Sequence, residues 1–224
     1  MRKMPNDRLY VRQLQLGPMQ NFVYLVGARD SDQVCVIDPA WDVPALLAAA
    51  EADGKRVVSA FLTHHHGDHL NGVPALLEHH EVPVYVQRAE RDFSEVIQRF
   101  GDVVRPIGPG EKIAVGPMAV TCIHTPGHTV GSQCLLCDDA LVSGDTVFVN
   151  ACGRCDLPGG DPMQMYESLH RVLGALPSST PLYPGHDYGD VPTSTLGRER
   201  ANNPYLHASA LESFIALRTR PRSG

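Results

Sequence analysis

Four histidines and an aspartate fall within seven residues, Thr63-His64-His65-His66-Gly67-Asp68-His69, directly behind the apolar run Val57-Val58-Ser59-Ala60-Phe61-Leu62. A short apolar run of this kind reads as a buried strand. The cluster then occupies the loop at the strand's C-terminal end, where open α/β folds place their chemistry. Imidazole and carboxylate are the usual donors to zinc and related metals. A surface histidine patch or a tag is the competing reading. A tag belongs at a terminus, and this cluster lies inside the chain.

The 224 residues allow one sizeable core or at most two small domains. Net charge is −6, and no basic run or basic stripe interleaved with aromatics is present, so nucleic acid is not an expected partner. The charged segment Met1–Arg8 has no apolar stretch behind it, and no apolar stretch reaches a membrane-spanning length. A soluble, cytoplasmic chain with no membrane partner is expected. In that setting the six cysteines, Cys35, Cys122, Cys134, Cys137, Cys152 and Cys155, are expected as free thiols.

Along the chain, Leu9–Leu16, Asn21–Val26 and Gln33–Asp38 read as a β-meander closed by Asp38-Pro39. Val43–Ala52 reads as a helix capped by Asp42, and Val57–Leu62 as the strand that delivers the histidines. Helices are expected over Leu70–Glu78 and Glu90–Arg99, with a strand at Val82–Val86 between them. A second run of strands follows at Lys112–Val115, Met118–His124, Gln133–Leu136, Ala140–Val142 and Val147–Val149. Asp161–Leu176 has apolar residues at near-helical spacing, Pro181–Tyr183 reads as a last strand, and Ala208–Leu217 as a C-terminal helix. Strands then helices, twice over, fit an α/β fold of two mixed β-sheets flanked by helices, packed as αββα.

Three further residues sit in the same kind of place, beside a glycine just past a strand. They are His128 in Pro126-Gly127-His128-Thr129, Asp145 in Ser143-Gly144-Asp145-Thr146, and His186 in Pro184-Gly185-His186. Singly, each reads equally well as a turn residue, a helix cap or a solvated loop. Together with the cluster they share one repeated topological position, which points to one site. His65 lies between two candidate ligands and is expected to point away. His79, His80, His170 and His207 fall on stretches read as helical and solvent-facing.

The ordered set T-H-x-H-x-D-H, P-G-H-T, S-G-D-T and P-G-H, spanning about Leu9 to His186, resembles the metallo-β-lactamase superfamily. The resemblance implies one domain over residues 1–224 with that family's αββα sandwich and a short helical extension from about residue 203. It also implies two divalent metal ions, zinc first, with iron or manganese as alternatives. One ion would be held by His64, His66 and His128 and the other by Asp68, His69 and His186, with Asp145 bridging. Such a pair acidifies water to a pKa of about 7 and polarises a carbonyl, and Asp68 would orient the nucleophile. A thiolate leaving group then makes a small thioester or thiol-derived compound the expected substrate.

Within the superfamily, Cys152-Gly153-Arg154-Cys155-Asp156 and His186-Asp187-Tyr188 look like the glyoxalase II and persulfide dioxygenase group. By resemblance to glyoxalase II, Arg154 and Tyr188 would bind the thiol moiety. Their plain alternatives are a surface ion pair and a packed loop aromatic. Only 38 residues follow His186, fewer than the helical region that completes the glyoxalase II thiol site, so the carrier thiol stays open. The persulfide dioxygenase reading rests on Gly153-Arg154-x-Asp156, Glu199-Arg200 and Asn203-Pro204, and implies one Fe2+ on His64, His128 and Asp145. A broader esterase or lactonase, and a non-catalytic metal-binding module, remain alternatives. The pairs Cys134-x-x-Cys137 and Cys152-x-x-Cys155 approach a zinc-ribbon spacing, but residues i and i+3 on a strand face opposite sides. The apolar residues of Leu206–Leu217 are expected to cover either the pocket or a second copy of the chain in a homo-oligomer.

Overall fold

The structure, a computed structural model, describes residues 8–218. Most of the segment read above as a charged N-terminus, residues 1–7, lies outside the described residues, as do residues 219–224. The meander forms β1 (Leu9–Leu16), β2 (Asn21–Ala28) and β3 (Gln33–Ile37), all antiparallel. In β2, Val23 and Leu25 face one core while Phe22, Tyr24 and Val26 face another, as the two-residue period of a strand requires. The helix α1 (Val43–Ala52) starts where the Asp42 carboxylate accepts the Ala45 amide at 2.9 Å. Then β4 (Arg56–Leu62) runs parallel to β3 and leads to α2 (Gly67–Leu70) and α3 (Val73–His79). β5 (Val84–Gln87) pairs parallel with β4, and α4 (Arg88–Phe93) and α5 (Glu95–Gln98) follow it. β6 (Val104–Ile107) closes the six-stranded sheet β1-β2-β3-β4-β5-β6.

The second sheet holds β7 (Lys112–Val115), β8 (Met118–His124), β9 (Gln133–Cys137) and β10 (Ala140–Gly144). β11 (Val147–Phe148) and β12 (Ala151–Cys152) make a separate small hairpin, and α6 (Pro162–Glu167) follows. β13 (Pro181–Pro184) pairs parallel with β10, β14 (Ser194–Thr195) forms the edge, and α7 (Leu196–Asn202), α8 (Pro204–His207) and α9 (Leu211–Arg218) end the described chain. The two sheets enclose Phe22, Tyr24, Ile37, Phe61, Val120, Leu135 and Val142. A second core packs Val36, Leu46 and Leu76 beneath α1 and α3, and a third packs Leu141, Met165, Leu182 and Phe214 under the C-terminal helices. The architecture is the αββα sandwich of two mixed sheets read from the sequence.

Several helices differ from the sequence reading, each for a local reason. The helix expected over Leu70–Glu78 is two helices, because Pro74 opens α3 and has no amide to continue α2. The helix expected over Glu90–Arg99 breaks at Ser94, which is extended and whose Oγ accepts the Ile97 amide at 3.3 Å to cap α5. The stretch Asp161–Leu176 starts as α6, widens to a π-turn over Ser168–Val172 and tightens to a 3-10 turn over Leu173–Ala175. The C-terminal helices begin at Leu196 rather than near residue 203, since Thr195 caps α7 through the Arg198 amide. The last helix is Leu211–Arg218 rather than Ala208–Leu217, and the strand expected at Val147–Val149 has two residues. β6 has no strand-like pattern in the sequence because Arg105 and Pro106 interrupt it; proline is tolerated there at a sheet edge. α9 buries Phe214 against Tyr166 and Tyr205, and no residue of Leu206–Leu217 lines the site cavity described below.

All six cysteines are buried free thiols. Cys134 faces the core under the C-terminal helices and Cys137 the core between the sheets, so that pair cannot share one ion. Among the described residues no helix is long and apolar enough to cross a membrane.

Candidate metal centre

Hydrogen bonds between the sheets bring the relevant strand ends to one edge. The Gln133 side-chain amide donates to Leu62 O at 2.7 Å, the Gln133 backbone amide to Thr63 O at 3.0 Å, and the Phe22 amide to Gly185 O at 2.8 Å. Tyr24 Oη donates to Pro184 O at 2.5 Å. The loops after β4, β8, β10 and β13 therefore meet, and they carry all seven candidate ligands.

His64, His66 and His128 each offer a ring nitrogen within 4.8 Å of one another, and so do the side chains of Asp68, His69 and His186. His66 Nδ1 and His128 Nε2 are 2.9 Å apart, and His69 Nε2 and His186 Nε2 are 3.1 Å apart. Asp145 reaches both groups. Its Oδ2 is 3.5 Å from His128 Nε2 and 3.4 Å from His186 Nε2, and its Oδ1 is 3.3 Å from His69 Nε2. Asp68 Oδ2 lies 3.4 Å from His186 Nε2 and 3.5 Å from His69 Nε2.

The outward nitrogens of four rings are tied off, which fixes how each ring points. His128 Nδ1 donates to Arg154 O at 2.7 Å, and His186 Nδ1 to Met19 O at 2.9 Å. His69 Nδ1 donates to Asp38 Oδ2 at 2.9 Å. That same oxygen accepts the Thr63 hydroxyl at 2.6 Å, which leaves Thr63 Oγ1 to accept from His64 Nδ1 at 3.0 Å. The inward Nε2 of His64 is then a bare lone pair, buried and without a hydrogen-bond partner, as is Asp145 Oδ1. Buried polar atoms are rarely left so. Imidazole nitrogens and carboxylate oxygens arranged this way are the donor set of a divalent metal. A third group, Asp38, His64 and His69, also lies within that reach, but Asp38 is already spent on Thr63 and His69.

Asp38, Asn21 and Glu90 were not singled out from the sequence. Asp38 has φ of +52°, a conformation asparagine and aspartate adopt more readily than bulkier residues. It is held by the Thr63 amide at 2.7 Å together with the Thr63 hydroxyl and the His69 ring. Asn21 Nδ2 donates to Asp68 Oδ2 at 2.9 Å and takes Trp41 Nε1–H on its own oxygen at 2.9 Å. The one sequence signal for Asp38 is an Asp-Pro at a strand end, which otherwise reads as a turn. Of the remaining histidines, His65 turns to Glu90, His79 and His207 are exposed, His80 is half-buried, and His170 is half-buried with Nε2 on Tyr205 O at 3.1 Å.

The ring environments are uneven. Burial, reinforced by neighbouring imidazoles, pushes His64 well below the ordinary 6.5 and His66 down to about 4; burial also lowers His128. Burial opposes the charged form of His69 too, but Asp145, Asp38 and Asp68 outweigh it and raise the ring to about 9. Asp145 is held well below the carboxylate range, its burial outweighed by His69, His186 and His128. The pH dependence of the metal-free protein follows. The three depressed rings contribute stability that is complete above 6.5 and lost as pH falls through their folded values. His69 contributes stability that is complete below 6.5 and lost as pH rises through about 9. Thermal melts of chelator-treated protein should show a maximum near pH 6.5; a melting temperature still climbing at pH 9 would contradict this assignment.

The site opens into a cavity of about 410 Å³ lined by Met19, Phe148, Leu157 and Tyr188 beside the ligands. Tyr188 stacks on the His186 ring, centroids 4.5 Å apart and planes 9° from parallel. Arg154 also lines it, with Nε and Nη2 each 2.7 Å from the two Asp156 oxygens.

The sequence profile of the metallo-beta-lactamase superfamily matches residues 16–186. A probable polyketide biosynthesis zinc-dependent hydrolase, BaeB of Bacillus velezensis, is 30% identical over 89% of this chain and 88% of its own length. Hydroxyacylglutathione hydrolase of Alkalilimnicola ehrlichii is 40% identical over 75% of this chain, though the match spans only 62% of that protein. The mitochondrial persulfide dioxygenase ETHE1 of Mus musculus is 31% identical over 88% of this chain and 75% of its own length. Among solved structures, ETHE1 from Myxococcus xanthus superposes with a TM-score of 0.84 at 29% identity, covering 95% of this chain and 92% of that one. TTHA1623 in a di-iron-bound form superposes with a TM-score of 0.74 at 32% identity, covering 88% of this chain and all of that one (100%). The profile match over most of the chain, together with these relatives, shows that the chain belongs to the metallo-β-lactamase superfamily.

Proposed function

We propose that this protein is a metal-dependent hydrolase of small thioesters, with His64, His66 and His128 holding one divalent ion, Asp68, His69 and His186 a second, and Asp145 shared between them. The observation that carries the proposal is the position of Asp145, within 3.5 Å of ring nitrogens from both groups. One tetrahedral ion needs four donors, and seven converge here. Zinc is the proposed metal, as in the name of the BaeB relative; the di-iron form of TTHA1623 makes iron the alternative.

Ions held there supply Lewis acidity and acidify water towards neutral pH. The protein's own residues do the rest. Asn21 fixes the Asp68 carboxylate at the cavity wall, where it orients the attacking water and takes up its proton. Met19, Phe148, Leu157 and Tyr188 bind the apolar part of the substrate and exclude bulk water. Arg154 and Tyr188 at the cavity wall are the proposed contacts to the thiol moiety. A thiolate with an ordinary pKa of about 8.5 leaves without a proton, so the site needs no strong general acid. The same pocket would serve an amide poorly, since an amine must be protonated to leave.

The second reading is a mononuclear-iron persulfide dioxygenase using His64, His128 and Asp145. It is favoured by the likeness to ETHE1, which extends over 88% of this chain. One experiment separates the two. The purified protein should carry close to two divalent metal ions per chain and hydrolyse acyl thioesters. A chelator should abolish that activity and added zinc restore it. A preparation holding a single iron that consumes oxygen with a persulfide substrate would replace the hydrolase reading with the dioxygenase.

A further inference from the structure

Glu90 lies in the first turn of α4, fully buried at 0% exposure, and lines neither the cavity nor any ligand group. Its carboxylate nevertheless takes four hydrogen bonds. Oε1 accepts the His65 amide at 2.7 Å, the His65 Nδ1–H at 2.5 Å and the Thr129 hydroxyl at 2.8 Å; Oε2 accepts the Gly131 amide at 2.6 Å. Burying a carboxylate is costly unless donors compensate it, and all four donors come from two loops. His65 sits between His64 and His66, and Thr129 follows His128. The approach is tight: a Cβ on Gly131 would stand 2.2 Å from the Glu90 backbone nitrogen, so only glycine lets the loop close onto α4.

The second ligand group is anchored away from Glu90, with Asp38 also reaching His64 through Thr63. His69 is held by Asp38, Asp68 by Asn21 and His186 by Met19 O. Gln133 ties the bases of the His64–His66 loop and the His128 loop through Leu62 O and Thr63 O, whereas the Glu90 carboxylate bridges them beside the ligands themselves, at His65 and at Thr129 and Gly131.

We propose that Glu90, acting with His65, is a positioning residue that sets the spacing between the His64–His66 loop and the His128 loop, and through it the affinity of the first metal position alone. This rests on the two-metal reading above. It gives His65, the histidine of the cluster left outside the ligand set, a function.

The test uses full-length wild type, Glu90→Gln and His65→Leu, freed of metal and titrated with Zn2+ against a chromophoric chelator. A parallel Co2+ titration reads the visible absorption of each site. Glutamine keeps the volume of Glu90 but turns one acceptor into a donor facing an N–H. The expected result is a loss of about tenfold in affinity for one equivalent, with the other unchanged and the Co2+ spectrum altered at the weakened site only. His65→Leu, which retains the backbone donor but not the ring, should weaken the same equivalent by less; it carries the test if Glu90→Gln does not fold. Wild-type affinity at both equivalents in the variants overturns the proposal, as does an equal loss at both, the mark of a residue that merely stabilises the fold. A wild type that binds no metal overturns this proposal and the two-metal reading together. A wild type that binds two with variants that bind identically overturns this one only.

Discussion

On the two-metal hydrolase reading proposed above, replacing Asp145 by alanine is expected to remove both metals together and to lower kcat/KM for thioester hydrolysis by on the order of 10⁴-fold, the scale seen when one member of a catalytic unit is lost. The carboxylate lies against rings of both ligand groups, at 3.3 Å to His69, 3.4 Å to His186 and 3.5 Å to His128. Its removal leaves each group three donors and takes away a negative charge that sits within 3.5 Å of ring nitrogens in both groups, where it would attract either cation. Asp145→Asn keeps the shape but not the charge, and should fall between wild type and alanine. Metal analysis after gel filtration checks the first claim and initial rates the second. Retention of two equivalents by Asp145→Ala would refute the shared role.

The second large effect is on stability, from a residue that touches no ligand ring. Gly127 has φ of +133°, and a Cβ placed there would stand 2.3 Å from Met165 N and 2.4 Å from Met165 Cα. The amide of Asp161, which caps α6, donates to Gly127 O at 2.9 Å. The loop before His128 is thus laid flat against the start of α6. Gly127→Ala combines a backbone conformation that side chains disfavour with overpacking against main-chain atoms, and should destabilise by about 3 kcal/mol. For a chain of this size that lowers the melting temperature by roughly 6–12 °C. Because His128 is the next residue, metal affinity at the first position should fall as well. A melting shift below about 2 °C would show that the loop can lift from α6 without penalty.

The seven residues that meet at the site were legible because each has a local signature. All lie within a few residues of a strand end, and His64, His66, Asp68 and His69 share one short loop. A strand end, a glycine and a polar side chain can be read within ten residues of sequence. The residues that hold the ligands were not legible, because their partners are remote. Asp38 binds Thr63 and His69 from 25 and 31 positions away, and Glu90 binds Thr129 from 39 positions away. In sequence one looks like a turn and the other like an ordinary acid in a helix's first turn. The fold divides the same way. The apolar strands and the αββα layering follow from pattern, whereas the helix break at Ser94 turns on a side-chain cap and that before α3 on Pro74. The π-turn at Ser168 coincides with a hydrogen bond from its hydroxyl to Pro126 O at 2.7 Å, a tertiary contact that no periodicity encodes.

Two ligand rings are oriented by main-chain carbonyls, those of Met19 and Arg154, whose side chains line the cavity. A carbonyl is common to all twenty amino acids. The identities of residues 19 and 154 can therefore drift with no change in what grips His186 and His128, provided the loop path is kept. Such an arrangement decouples the inheritance of the chemistry from the choice of what enters the pocket. A lineage can exchange rim side chains, and with them its repertoire of substrates, one substitution at a time, without passing through a form that has lost its metals.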